Sequence, residues 1–181
     1  YTLGIMDITR IDHFRGFLAA WEVPAGDKTA ENGFWQPVPG VEFFSKVLEK
    51  FSDANIVAED LGLITDEVRE FMDHCEFPGM KILVFAFDSD LKTNPYLPHN
   101  FSENCVVYTG THDCNTVKGW FENDMSSHQK SNLFEYLGKR VSAEEISGEL
   151  IKQALGSPAC ISILPMHDVL GLDESASFNF P

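Results

Sequence analysis

Short apolar runs alternate along this chain with segments whose apolar residues recur at helical spacing, and that alternation constrains the fold more than any other feature. Residues 5–12, 55–59, 80–87, 105–110 and 159–165 are rich in Ile, Val or Phe, or interleave Ile with polar residues, and predict buried strands. Between them, residues 41–51 and 66–75 predict helices, the second with Thr65 as N-cap and acidic residues close behind. Residues 132–138 and 143–155 predict two more, the latter capped by Ser142 and closed by Gly156. The expected order is βαβαβ, a long loop over residues 88–104, a strand, several helices and a final strand.

Such alternation implies parallel strands joined by helical crossovers. A doubly wound sheet and a (β/α)₈ barrel both satisfy it. The position of the polar residues separates them: Asp12, Glu59 with Asp60, His112 with Asp113, and His167 with Asp168 fall at or just after the carboxyl ends of predicted strands. In a barrel those ends converge on one mouth. A nucleotide-binding sheet needs a glycine-rich first turn, and neither G-x-G-x-x-G nor a P-loop occurs. The expected class is therefore α/β, a (β/α)₈ TIM barrel. A full barrel takes about 250 residues, so five strands in 181 residues are expected to form a partial barrel, its later strands and helices only. Residues 1–181 then make one catalytic segment truncated at the N-terminus, and the opening Tyr1 in place of Met agrees.

Charge excludes some partners. Lys and Arg number 13 against 28 Asp and Glu, for a formal net charge of -15, so the surface repels nucleic acid and anionic membrane while leaving a neutral sugar unaffected. The longest purely apolar run, residues 82–87, is far too short to cross a bilayer. Cys75, Cys105, Cys114 and Cys160 form no C-x-x-C pair, which fits reduced thiols in a cytoplasmic setting.

The candidate chemistry rests on three carboxylates. In a strand, residues i and i+2 share a face, so Arg10 points the same way as Asp12 and its guanidinium holds that acid ionised, as a carboxylate nucleophile requires. Glu59 ends an apolar strand, which places it against apolar walls and suits it to carry a proton. Asp113 follows His112 in YTGTHD, where Gly110 permits a tight turn. Each has a plainer meaning alone: a buried ion pair, a helix-capping acid beside Asp60, an Asx-turn residue. Together they form one set suited to retaining glycoside transfer, in which Asp12 attacks the anomeric carbon and Glu59 protonates the leaving oxygen roughly 5 to 5.5 Å away. Asp113 would hydrogen-bond the reacting sugar, and His112 would donate to a nearby hydroxyl.

The stretches RIDHFRGF, WEVPAGDKTAENG, AEDLG, PGMKILVFAF, NPYLPHN and YTGTHD resemble, in order, the blocks of the amylomaltase or disproportionating-enzyme group in glycoside hydrolase family 77. LPMHDVLGLDESASFNFP resembles that family's last barrel strand and the loop after it. The resemblance implies a 4-α-glucanotransferase acting on malto-oligosaccharide or α-glucan substrates, with no cofactor and no metal. By position it makes Asp12 the nucleophile, Glu59 the acid/base and Asp113 the transition-state stabiliser, with Arg10, His112, His99, Asn100 and Asn179 near the sugar. Cys114 stands where the family usually has Asn, and Ser177 and Phe178 replace an Arg-Met pair.

Other classes fit less well. An α-amylase-type hydrolase uses the same three acids, and an inactive fragment that binds sugar weakly is a further alternative. Metal-dependent barrel hydrolases need convergent ligands, usually with a His-x-His pair, and neither that nor H-E-x-x-H occurs here. A truncated barrel has unpaired edges at its first and last strands, so self-association is expected, and the apolar side chains of residues 80–87 are expected to meet water unless a partner shields them.

Overall fold

The computed structural model describes residues 1–177 and Asn179. The chain divides into two compact units, Tyr1–Met80 and Lys81–Pro181. Phe178, one of the two residues that depart from the family pattern beside Asn179, lies outside the described residues.

The first unit opens with a 3₁₀ turn at Thr2–Gly4 and strand β1 at Thr9–Ile11. A hairpin follows, β2 (Ala19–Glu22) antiparallel to β3 (Phe34–Pro37), with Trp21 opposite Trp35. Helix α1 (Gly40–Lys50), strand β4 (Ile56–Ala58) and helix α2 (Asp66–His74) complete the pattern. β1 and β4 pair in parallel, Arg10 against Val57 and Ile11 against Ala58. Their core is aromatic. Phe14 and Phe44 are buried with Phe71 and Phe77, and the Phe14 ring lies 5.4 Å from both Phe44 and Phe71. Burial of each such side chain contributes about 1.5–3 kcal/mol, so the segment that follows Asp12 is anchored through Phe14 in this aromatic cluster.

The unit boundary falls within β5 (Gly79–Ile82), the first strand of a sheet ordered β5-β6-β7, with β6 at Cys105–Tyr108 and β7 at Ile161–Ile163. β6 and β7 are parallel. Between them run α3 (Val117–Gly119), a π-helical turn at Trp120–Asp124, α4 (Ser127–Leu137) and α5 (Ala143–Leu155). After β7 comes α6 (Met166–Val169). Leu133, Ile146 and Leu150 on the helices are fully buried, as are Val106 of β6 and Val117 of α3. Parallel strands with helical connections make this an α/β protein.

The structure corrects several sequence expectations. Seven strands are present among the described residues rather than five, because the β2–β3 hairpin was not anticipated. Residues 80–87 are not one strand: β5 stops at Ile82 and a 3₁₀ turn takes Leu83–Phe85. An unbroken apolar run has no period, so it cannot distinguish an extended strand from a buried turn. Most of those side chains do not meet water either: Met80, Ile82, Leu83, Val84, Ala86 and Phe87 are buried, Phe87 packs against Trp120 and Tyr136, and Phe85 alone of the apolar ones is exposed. α4 begins earlier than expected, where Ser126 and Gln129 form a capping box, and it ends on Gly138 at φ 67°. α5 has the expected bounds and the expected Ser142 cap.

Candidate active site

In the first unit, two acids are delivered by one register. Ile11 lies opposite Ala58 in the parallel pair, so the chain leaves β1 and β4 at the same end, with Asp12 after one strand and Glu59 after the other. The backbone stays tied past the strands: the Glu59 N–H donates to the Ile11 carbonyl at 2.9 Å, and the Phe14 N–H donates to the Glu59 carbonyl at 3.1 Å.

Arg10 Nη2 donates to Asp12 Oδ1 at 2.6 Å, the contact that their i, i+2 spacing predicts. Arg10 is steadied from behind, where its Nε lies 3.3 Å from Met80 Sδ. Asp12 keeps 74% of its side chain exposed against 31% for Arg10, so the cation backs the acid while the carboxylate faces outward. Both Glu59 oxygens accept from backbone: His13 N–H to Oε2 at 2.6 Å and Leu61 N–H to Oε1 at 2.8 Å. His13 itself adopts a left-handed conformation, φ 48° and ψ 52°. Together the two amides fix the plane of the carboxylate.

Asp60 does a separate job that the sequence left open. Its Oδ1 accepts from the Met80 N–H at 2.7 Å, and a Cβ placed on Gly79 would lie 2.6 Å from Asp60 Oδ2. Only glycine allows that approach. Asp60 thus anchors the end of β4 to the start of β5, one residue past Glu59. Arg15 also stabilises this end: its Nη1 donates to the Leu63 carbonyl, and its guanidinium lies 3.9 Å above the Trp35 ring.

In the second unit, Asp113 stands on the loop after β6, its side chain 58% exposed. Oδ2 lies 3.2 Å from His112 Nε2, and Oδ1 accepts from Asn179 Nδ2 at 2.9 Å. Asn179, remote in sequence, is therefore brought to Asp113. Cys114 joins both in lining a concavity of about 480 Å³ with Asn115, Glu174 and Ser177. Its Sγ lies 3.4 Å from Thr111 Oγ1. A larger concavity, about 550 Å³, follows α4 past Lys130, Phe134 and Arg140 and contains none of the three acids.

His99 and Asn100 are placed differently. The Asn100 amide donates to the Lys92 and Asn94 carbonyls at 3.1 and 2.9 Å and so holds its own loop together. The His99 ring stacks on Tyr136, with centroids 5.8 Å apart. Burial pushes the Tyr136 phenol above its ordinary range. Among the described residues neither side chain bonds to His112, Asp113 or Asn179.

Two other properties bear on ligands. No group of three or more His, Cys, Asp or Glu among the described residues is arranged to hold a metal ion. No described helix is long and apolar enough to cross a membrane.

Comparison with known proteins follows the same residues. Residues 1–181 match the glycoside hydrolase family 77 model, described as 4-alpha-glucanotransferase. The 4-alpha-glucanotransferase of Synechocystis is 51% identical over 181 residues, covering 99% of this chain and 35% of its own. That of Aquifex aeolicus is 45% identical over 181 residues, covering 100% of this chain and 37% of its own. The chain thus spans about a third of the length of the curated relatives it matches. Among solved structures, an amylomaltase from Streptococcus agalactiae in complex with acarbose superposes with a TM-score of 0.90 at 36% identity, over 99% of this chain and 36% of that one. An amylomaltase from Corynebacterium glutamicum, 14% identical, shares the fold at a TM-score of 0.65, over 90% of this chain and 28% of its own.

Proposed function

The chain belongs to the 4-alpha-glucanotransferase family, glycoside hydrolase family 77, and from that membership we propose that it carries the catalytic acids of an enzyme that moves α-1,4-glucan segments between malto-oligosaccharides. In this reading its strands are the later part of a (β/α)₈ barrel, and residues 1–181 form one catalytic segment of it. One observation carries the assignment of roles: the β1–β4 register that puts Asp12 and Glu59 at the same carboxyl ends, with Arg10 2.6 Å from the Asp12 carboxylate.

The reaction is a retaining double displacement. An Asp12 oxygen attacks the anomeric carbon of the donor, the bond from that carbon to the glycosidic oxygen breaks, and Glu59 gives its proton to the departing oxygen. The released glucan carries a new 4-hydroxyl, and the transferred segment is esterified to Asp12. An acceptor glucan then brings its own 4-hydroxyl. That oxygen attacks the anomeric carbon, its proton passes to Glu59, and the bond to Asp12 breaks. Two inversions restore the α configuration.

The surrounding groups have physical tasks. Arg10, 2.6 Å from Oδ1, orients the Asp12 carboxylate for attack. The amides of His13 and Leu61 hold Glu59 in one plane, leaving a lone pair on each oxygen to exchange the proton. Asp113, braced by His112 and Asn179, accepts hydrogen bonds from sugar hydroxyls that strengthen as positive charge develops on the ring. His99 and Asn100 are assigned a looser role, shaping the loop that borders the sugar.

The test is disproportionation of maltotriose by the protein that carries these residues. Asp12→Asn is expected to abolish transfer with the fold intact, and product formation above a few per cent of the parent rate would remove Asp12 as nucleophile.

A further inference from the structure

Asp168, on α6, has a carboxylate that is 1% exposed. Its two oxygens reach two different segments. Oδ2 accepts from the Thr109 hydroxyl at 2.5 Å, and Oδ1 accepts from the Val117 N–H at 2.8 Å. Thr109 directly follows β6, and Val117 is the first residue of α3. Everything between them is the loop that carries His112, Asp113 and Cys114.

One buried side chain therefore closes both mouths of that loop. On the exit side Thr116, itself buried, accepts from the Gly119 N–H at 3.1 Å and fixes where α3 begins. Within the loop the Cys114 N–H donates to the Thr111 carbonyl at 3.1 Å, and the Asp113 N–H reaches Thr111 Oγ1 at 3.3 Å. These bonds tighten the turn but do not locate it. The bonds to Asp168 tie both ends of the loop to the segment after β7, whereas the Asn179 amide reaches that loop at the Asp113 carboxylate, 2.9 Å away, and the tip is open, with the His112 and Asp113 side chains 65% and 58% exposed.

A buried carboxylate is a costly staple, since desolvation opposes it and a neutral amide could serve either donor. What the carboxylate adds is a strong acceptor on both oxygens at once, aimed at both ends of one loop. His167 lies beside it, with Nε2 3.6 Å from Oδ1, too far for a hydrogen bond. From this geometry we infer that Asp168 is a positioning residue for Asp113, acting through Thr109 and Val117. The inference rests on the proposed role of Asp113 for its consequence in catalysis, but not for its structural content.

The experiment compares Asp168→Ala, Asp168→Asn and Thr109→Val in the protein that carries these residues, with crystal structures and maltotriose kinetics for each. Asp168→Ala is expected to displace residues 110–116 and to lower kcat by about 10- to 100-fold, because a misplacement of about 1 Å is enough for that. KM should stay within about threefold, as for a group acting in the transition state. Asp168→Asn should recover most of kcat, since its carbonyl accepts from Val117 and its amide donates to the Thr109 oxygen. Thr109→Val keeps the volume, loses one bond and should lower kcat by about tenfold. If Asp168→Ala does not fold, Thr109→Val decides. Unmoved loop residues and a parental kcat in the folded variant overturn the inference, as does a loss of rate that vanishes when normalised to the folded fraction. Asp113→Asn is the control: full activity there removes the functional reading of Asp113, whereas the loop displacement in the crystal still decides the role of Asp168.

Discussion

The backbone N–H of His13 meets Glu59 Oε2 at 2.6 Å, so the residue that follows Asp12 in sequence holds the acid that ends β4. His13 sits at φ 48°, a region L-residues enter at a cost of about 1–2 kcal/mol. His13→Gly keeps the N–H and relieves the backbone, so denaturant unfolding should show unchanged or slightly raised stability, with transfer retained. His13→Val should lose about 1–3 kcal/mol, because a branched side chain resists this conformation. A folded His13→Gly variant without activity would show that the imidazole, rather than the amide, is what the site needs.

Phe14, fully buried, is the keystone of the first unit's core. Phe14→Ala should destabilise by about 3–5 kcal/mol, whereas Phe85→Ala, at a side chain 39% exposed, should cost about 1 kcal/mol or less. Paired urea titrations separate the two. Equal losses would mean that the aromatic cluster around Phe14 is not the organising core.

The sequence revealed the parts whose signal is local. The strands that precede Asp12, Glu59 and Asp113 could be placed because apolar residues concentrate in them, and α5 because Ser142 and Gly156 mark its ends. The β2–β3 hairpin escaped because its strands are separated by a long turn through Pro24, Gly26 and Gly33, which gives no tight-turn dipeptide at a two-residue spacing. The Trp120–Asp124 turn escaped because WFEND has neither helical nor alternating period. Nor could sequence show that Asn179 bonds Asp113, that Asn100 is committed to Lys92 and Asn94, or that Asp168 binds both ends of the Asp113 loop. Those are tertiary contacts without a pattern in the chain.

A pH dependence follows from the α5 cap. The Ser142 N–H donates to Glu145 Oε2 at 2.8 Å, and that backbone bond, with the Ser142 hydroxyl next, holds the Glu145 carboxyl below its ordinary value of 4.5. A carboxyl whose folded pKa is depressed stabilises the fold above its unfolded pKa, and that contribution is lost as pH falls through the folded value. Glu145→Gln should therefore lower Tm modestly at neutral pH, with the difference from the parent shrinking below pH 4.5. A difference that stays constant down to strongly acidic pH would exclude the ionised cap as its source.

Glu59 is assigned to proton transfer, so its loss should depend on the leaving group. Glu59→Gln should be nearly inactive on maltotriose but substantially restored with a glycosyl fluoride donor, whose departure needs no proton. Equal loss on both donors would contradict the acid role.

As the nucleophile, Asp12 becomes covalently bonded to the sugar. Glu59→Gln, loaded with a glycosyl fluoride donor in the absence of acceptor, forms the ester but releases it slowly, and acid quenching followed by peptide mass spectrometry locates the adduct. One glycosyl unit is expected on the peptide containing Arg10, Ile11 and Asp12, absent when Asp12 is replaced by Asn. An adduct on Asp113 or on any other residue, or an unlabelled enzyme that turns over the donor, would contradict it.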